Sequence, residues 1–340
     1  MLPHFQSDVF QIVQNRGGQR NFVVLAAFGP TLHHQRMRYE ARRVAPLRVG
    51  QGMLIRYGYD FTLQSPQDTP MICLLALRDE RTADMRYAAA VETFPNVPTS
   101  VYRDLFGNTC LRFMAPKGEF RIRNDGVVAD SGLHDPLDLA ARETAIRDLP
   151  DDTLIYLLGS RYCETDLLSQ FAWDTFGAVQ PGWARVQAIC DFAHGHITFD
   201  YMKADVTRTA YGAWIGATGV CRDFAHLAIA LIRCMNVPAR YVNGYLGDIG
   251  VPLLPPMDFS AWIEVFIGGR WMTFDPRNNK PRIGRIKVAH GRDAADVPLI
   301  HSFGPHVLTG FKVWCFEEGD AVSSADVPPR AQLTELRAQG

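Results

Sequence analysis

Cys221 is the residue in this chain best placed for covalent chemistry. The stretch Thr218-Gly219-Val220-Cys221-Arg222-Asp223-Phe224 runs straight into the apolar periodic segment 225–235, so the cysteine falls in the first turn of a predicted helix. Free amide N–H groups and the positive end of the helix dipole favour a thiolate there, and the thiolate is the form that attacks acyl carbons. The structural alternative is a small core residue. Against it, Gly219 and the polar pair Arg222-Asp223 set Cys221 at a turn rather than mid-helix. Cys234, near the far end of the same predicted helix, lacks the help of the dipole and serves as an internal control.

A second group of residues follows downstream in Asp258-Phe259-Ser260-Ala261-Trp262-Ile263-Glu264-Val265 and in Phe274-Asp275-Pro276. Gly268-Gly269 reads as a two-residue hairpin turn between a strand at 260–267 and one at 270–275. With that turn Ile267 faces Arg270, Glu264 faces Thr273, Trp262 faces Asp275 and Ser260 faces Arg277. Side chains alternate along strands, so Ser260, Trp262 and Glu264 share a face with Asp275 and Arg277, and position 260 is a diagonal neighbour of Asp275. Arg277 is then the one cation predicted beside position 260, placed to hold Cys221 as a thiolate. Asp275-Pro276 also suits a simple strand-ending turn. Trp262 reads first as hairpin packing, and Glu264 as either a buried charge or a base. Trp214, in the segment before Cys221, either walls a cleft and donates its indole N–H or packs structurally.

Together these segments resemble the transglutaminase-like superfamily, whose members carry a helix-start Cys, then His-Ala-Trp on a strand, then Asp-Pro on the next. The likeness runs from about Met53 to Trp314 and is strongest in 219–224, 237–247 and 262–276. It implies a papain-like Cys-His-Asp core and chemistry on acyl groups, by amide hydrolysis, deamidation or transfer to an amine. It makes Cys221 the nucleophile and Asp275 the acid that orients the base. The histidine position reads Ser260, and a serine hydroxyl is no general base near neutral pH. Three readings stay open. A Cys221 thiolate attacks an already activated donor such as a thioester; another histidine, among His226, His290, His301 and His306, supplies the base; or the site only binds. His226, five residues past Cys221, points about 140° away round the helix and reads as structural.

Positioning these groups needs an α+β fold: a papain-like transglutaminase core, its cysteine helix packed on an antiparallel sheet, preceded by a β-rich N-terminal domain. Residues 1–52 hold seven arginines, no lysine, and only Asp8 and Glu40 as acids. They read as a basic appendage, with disorder as one reading of it, either an interaction arm or an upstream mis-start with Met53 as the natural beginning. Residues 53–150 alternate apolar runs with turn signals and form the β-rich domain, 136–147 reading as a helical linker. Residues 151–318 form the core, with a helix over 182–194, a loop over 200–217, the Cys221 helix to about Asn236, and a strand over 239–246. Residues 319–340 form a polar tail.

Composition narrows the function. With 340 residues, 47% of them hydrophobic, and a formal net charge of −1, the chain supports a large core and has no global field to steer it to nucleic acid or a membrane surface. No apolar run reaches the roughly 18 residues needed to span a bilayer. Seven cysteines without a CxxC pair outline neither a disulfide framework nor a zinc cage. The expectation is a cytoplasmic cysteine-dependent acyl transferase or amide hydrolase, without metal or organic cofactor, that takes a peptide, protein or acyl-thioester substrate. The alternative is an inactive transglutaminase-like module that binds a peptide or protein. Neither reading fixes an oligomeric state.

Overall fold

The computed structural model describes residues 11–14, 20–24, 52–87, 91–254 and 256–319. Among these described residues, seventeen strands and four α-helices divide into a β-rich layer and a mixed core. In the β-rich layer one sheet runs, in order, β1 (Gln11–Gln14), β2 (Arg20–Val24), β16 (Ile300–Ser302), β4 (Thr69–Cys73), β8 (Thr109–Ala115) and β7 (Thr99–Arg103). The other runs β17 (Val307–Glu317), β3 (Met53–Ser65), β9 (Gly118–Asp130) and β5 (Met85–Tyr87), with β6 (Glu92–Phe94) also on β9. β3 pairs along its whole length with β9, from Met53 opposite Asp130 to Ser65 opposite Gly118. Its inward side chains Ile55, Tyr57, Tyr59, Phe61 and Leu63 are buried, as a half-buried strand of alternating pattern requires.

The core sheet runs β14 (Arg270–Phe274), β13 (Ser260–Ile267), β12 (Ala239–Leu246) and β15 (Arg285–Gly291), all antiparallel. A short parallel pair, β10 (Thr198–Phe199) and β11 (Thr218–Gly219), leads into α4 (Cys221–Cys234). Every residue of α4 is buried, so the helix forms the centre of the core, with α1 (Thr165–Phe176), α2 (Trp183–His196) and α3 (Ala210–Gly216) packed against it. It ends where Asn236 takes φ 62°, returning its amide to the Arg233 carbonyl at 2.9 Å while Val237 returns to Ile232 at 3.3 Å. Pro238 then stops further helix.

Several expected elements differ from the structure. Residues 136–147 are not a helical linker: apart from a 3₁₀ turn at Ile146–Asp148 the segment is irregular. Its fixed points are polar, since the Asp135 amide donates to the Arg282 carbonyl and the Asp135 carboxylate accepts from the Arg282 amide and from Arg285. The expected loop over 200–217 contains α3, and α1 had no sequence forecast. The C-terminal strands β16 and β17, expected within the 151–318 core, pair instead with β2, β4 and β3. Of the expected appendage 1–52, β1, β2 and Gly52 are described, and β2 joins a sheet through β16; the rest of it, like the tail beyond 319, lies outside the described residues.

Candidate active site

The start of α4 is built by its own third residue. The Asp223 carboxylate accepts the Val220 amide at 2.8 Å, closing the first turn. That carboxylate lies so near Gly219 that a Cβ there would come within 2.4 Å of it, which is why the residue two before the cysteine has no side chain. Arg222, fully buried, reaches the Asp205 carbonyl, and Arg208 bonds Asp223 at 3.3 Å. The polar pair after the cysteine thus locks the helix terminus and faces away from solvent.

Cys221 itself is 8% exposed. Burial is the largest influence on its thiol and pushes it up; Arg277 and the backbone N–H of Ala261 pull it down, while Asp258 and Asp223 push it further up. The net direction is upward. The expected thiolate held by the helix terminus and Arg277 is therefore outweighed by burial, and Cys221 rests as a protonated thiol that needs a proton acceptor. Arg277 is where the sequence put it in one respect, near the thiol. Its guanidinium lies over the Phe199 ring at 4.2 Å rather than opposite Ser260, because β14 ends at Phe274 and the chain turns.

The hairpin register is the expected one, with Ile267 opposite Arg270 and Glu264 opposite Thr273 about a turn in which Gly268 and Gly269 take φ 61° and 72°. Ser260 opens β13 opposite Gly244 of β12, is 5% exposed, and its hydroxyl makes no hydrogen bond among the described residues. Asp275 lies just past β14 and acts there as a turn anchor. Its carboxylate accepts the Asn278 amide at 2.9 Å, Asn278 Nδ2 at 2.8 Å and Arg285 Nη2 at 2.8 Å. Burial works to raise Asp275, but Arg285 and Asn278 outweigh it and hold the carboxyl below its ordinary range. Arg285 also lies 5.1 Å from the Trp262 ring, so Trp262 and Asp275 do share a face, joined by a cation that arrives from β15.

The remaining expected residues lie elsewhere. Glu264 takes its structural reading: Arg240 Nε donates to it at 2.6 Å and Lys287 Nζ at 2.8 Å, forming a half-buried ion cluster on the sheet. Trp214 packs in α3 at 4.9 Å from Phe171 and 5.6 Å from Tyr211, while its carbonyl accepts from His196 Nε2 at 2.6 Å. His226 stacks on Tyr162 at 5.0 Å and accepts the Ala294 amide at 3.2 Å, and burial holds it neutral, as its angle round the helix predicts. His290, His301 and His306 sit on β15, on β16 and just before β17, and none is among the strongest influences on the thiol.

Two residues that do act on the thiol side escaped sequence reading. Tyr201 feels both Asp258 and Cys221 and packs edge-on against Phe199 at 4.8 Å. Asp258 stands two residues before Ser260, a spacing that alternation alone would have marked. Its carboxylate accepts the Phe259 amide at 2.6 Å.

Residues 170–276 match the model of the transglutaminase-like superfamily. An uncharacterized protein of Mycobacterium leprae is 28% identical over 230 residues, 61% of this chain and 76% of that protein. An uncharacterized protein of Mycobacterium tuberculosis is 31% identical over 144 residues, 39% of this chain, so the chain spans 46% of that relative's length. Among solved structures, a candidate cysteine protease from Cytophaga hutchinsonii is similar at a TM-score of 0.68 and 27% identity, covering 80% of this chain and 93% of that one.

Proposed function

From a chain that belongs to the transglutaminase-like superfamily, carrying that core behind a β-rich N-terminal layer, we propose a cysteine acyl transferase or amide hydrolase that works through Cys221. The observation that carries this reading is the arrangement at the sulfur. A cysteine at the first position of a buried helix receives the Ala261 amide from the neighbouring strand and lies within electrostatic reach of Arg277. Such groups stabilise sulfur as it becomes anionic. The substrate is a peptide-like amide or an acyl thioester. The reaction runs in a reducing compartment, consistent with seven free, buried cysteines; among the described residues, no helix is long and apolar enough to cross a membrane.

The orphaned Ser260 hydroxyl at the histidine position supports the second reading, a binding module without turnover. One experiment separates them. The protein is incubated with p-nitrophenyl acetate and with an acyl thioester, and the adduct is mapped by peptide mass spectrometry. The expected outcome is acylation of Cys221, abolished in Cys221→Ala, while Cys234, whose thiol burial pushes up to about 11, stays unmodified. Absence of any Cys221 adduct, with peptide binding equal in wild type and Cys221→Ala, would establish the binding module instead.

A further inference from the structure

A protonated thiol with serine at the base position leaves the site short of a proton acceptor, and the chain segment that passes the sulfur carries one. Residues 258–261 run from the preceding loop into β13; the Ala261 amide meets the Cys221 sulfur, and Asp258 lies three residues upstream. Around the same point gather Tyr201, from the 3₁₀ turn at Tyr201–Lys203, and Arg277, from the turn after β14. Arg277 and Tyr201 both pack on Phe199, at 4.2 Å and 4.8 Å, and Phe199 itself pairs with Gly219 beside the start of α4. Among the described residues Asp258 makes no ion pair; its fixed contact is the Phe259 amide, which orients the carboxylate. The other acids nearby are differently engaged. Asp275 is held by Arg285 and Asn278, and Asp223 by Val220 and Arg208.

We propose that Asp258 is the proton acceptor and donor of this site, filling from two residues upstream the role a histidine at 260 fills in the family. The proposal rests on Cys221 as nucleophile. Asp258 takes the proton from Sγ as the sulfur bonds to the acyl carbon, and the carbonyl pair moves onto oxygen. When the intermediate collapses, the bond to the leaving nitrogen or sulfur breaks and that atom receives the same proton from Asp258. In the second half, water or an amine gives its proton to Asp258 while attacking the acyl-cysteine; the sulfur leaves as a thiolate and is reprotonated from Asp258.

The electrostatics fit the task. Burial pushes the Asp258 carboxyl up to about 7, with the Phe259 amide and Arg277 pulling the other way. An ordinary aspartate, with a pKa near 3.9, would be a far weaker base. An acid poised near neutrality both accepts and returns a proton at working pH, an effect worth about 10²–10⁴-fold in rate. The groups in electrostatic reach of Asp258 are the Cys221 thiol, the Tyr201 phenol and the Arg277 guanidinium, and Asp248 also acts on Tyr201. Burial raises Tyr201 as well, so it stays neutral throughout and does not compete for the proton.

The test is the rate of Cys221 acylation against pH, with p-nitrophenyl acetate and a peptide anilide, in wild type, Asp258→Asn and Asp258→Glu. The wild-type rate should rise with pH through an ionisation near 7, the appearance of the Asp258 carboxylate. Asp258→Asn should lose that ionisation and fall about 100-fold or more on the anilide, whose leaving group needs the proton, and less on the ester. Asp258→Glu should recover activity with a displaced ionisation. Asp258→Asn matching wild type in rate and profile would overturn the proposal while leaving the nucleophile intact. Wild type that is never acylated at Cys221 would mean the nucleophile reading itself has failed. If Asp258→Asn does not fold, the wild-type profile decides: a rate that rises only where the thiol itself ionises excludes Asp258.

Discussion

Ser260 is the residue on which the chemistry turns, and the structure makes its replacement informative. A serine that is 5% exposed, with no hydrogen bond among the described residues, stands beside a Gly244 position where a Cβ would already press against Trp262 at 2.8 Å. Ser260→His restores the family's base but must find room there and must compete with Arg285 for Asp275. If the imidazole reaches the thiol, cleavage of a peptide anilide should rise by about 10²-fold. The comparison is steady-state hydrolysis by the folded variant against wild type and Cys221→Ala. A folded Ser260→His protein with no gain on anilide or thioester would show that position 260 does not communicate with Cys221. Half of this site was legible in the residues. Cys221, its place at a helix start and the nearness of Arg277 came from local pattern. The direction of the thiol's ionisation did not, because it depends on burial by elements far apart in the chain.

At the scale of elements, α4 shows which sequence signals survive folding. Its start, length and end at Asn236-Val237-Pro238 were readable because caps and breakers act within a turn or two of themselves. The strand at Ala239–Leu246 and the glycine hairpin were readable for the same reason. The linker over 136–147 failed because its leucines find no cover: Leu137 is 60% exposed and Leu139 76%, while only Ala141 is buried against the core. Asp135 and Asp138 bind to Arg285, Arg282 and Arg270 instead, so polar anchoring decides the path of the segment. Arg285 was invisible as a site residue for a related reason, since it reaches Trp262 and Asp275 from β15, at the opposite edge of the sheet from β14. Arg233 is the strongest anchor of α4. Its guanidinium donates to the carbonyls of Ala239, Leu158 and Arg292 at 2.6–3.0 Å and to Ser160 Oγ at 3.0 Å. Arg233→Met should leave those buried acceptors bare and cost about 3 kcal/mol or more in a urea unfolding curve. A loss below about 1 kcal/mol would mean that the carbonyls find other partners.

For the whole molecule, the question is how the β-rich layer and the core are held to one another. Part of the answer is the clip at Asp135, which binds the Arg282 amide at 2.9 Å and Arg285 Nε at 2.8 Å, while Arg285 in turn holds Asp275. Asn108, between β7 and β8, adds another by donating to the His290 carbonyl at 2.8 Å and accepting the His290 amide at 3.0 Å. Asp135→Ala should lower stability by about 2 kcal/mol and make the 136–149 segment the first site cut in limited proteolysis. An unchanged cleavage pattern would show that this clip is dispensable.

The pairing of β3 with β17 also sets an order of events during synthesis. β3 leaves the ribosome early and meets β9 soon afterwards, but its other edge is covered only when Val307–Glu317 has been made. At about 5–20 residues per second, that edge stays open for roughly ten seconds or more, displaying unpaired amides and carbonyls above a buried-type aromatic face. The cysteine-bearing core, complete by Gly291 apart from its closing contacts, emerges before the layer that precedes it in sequence can close. The nascent chain therefore finishes from the inside outward, and the last strand translated among the described residues is the one that seals the first long one.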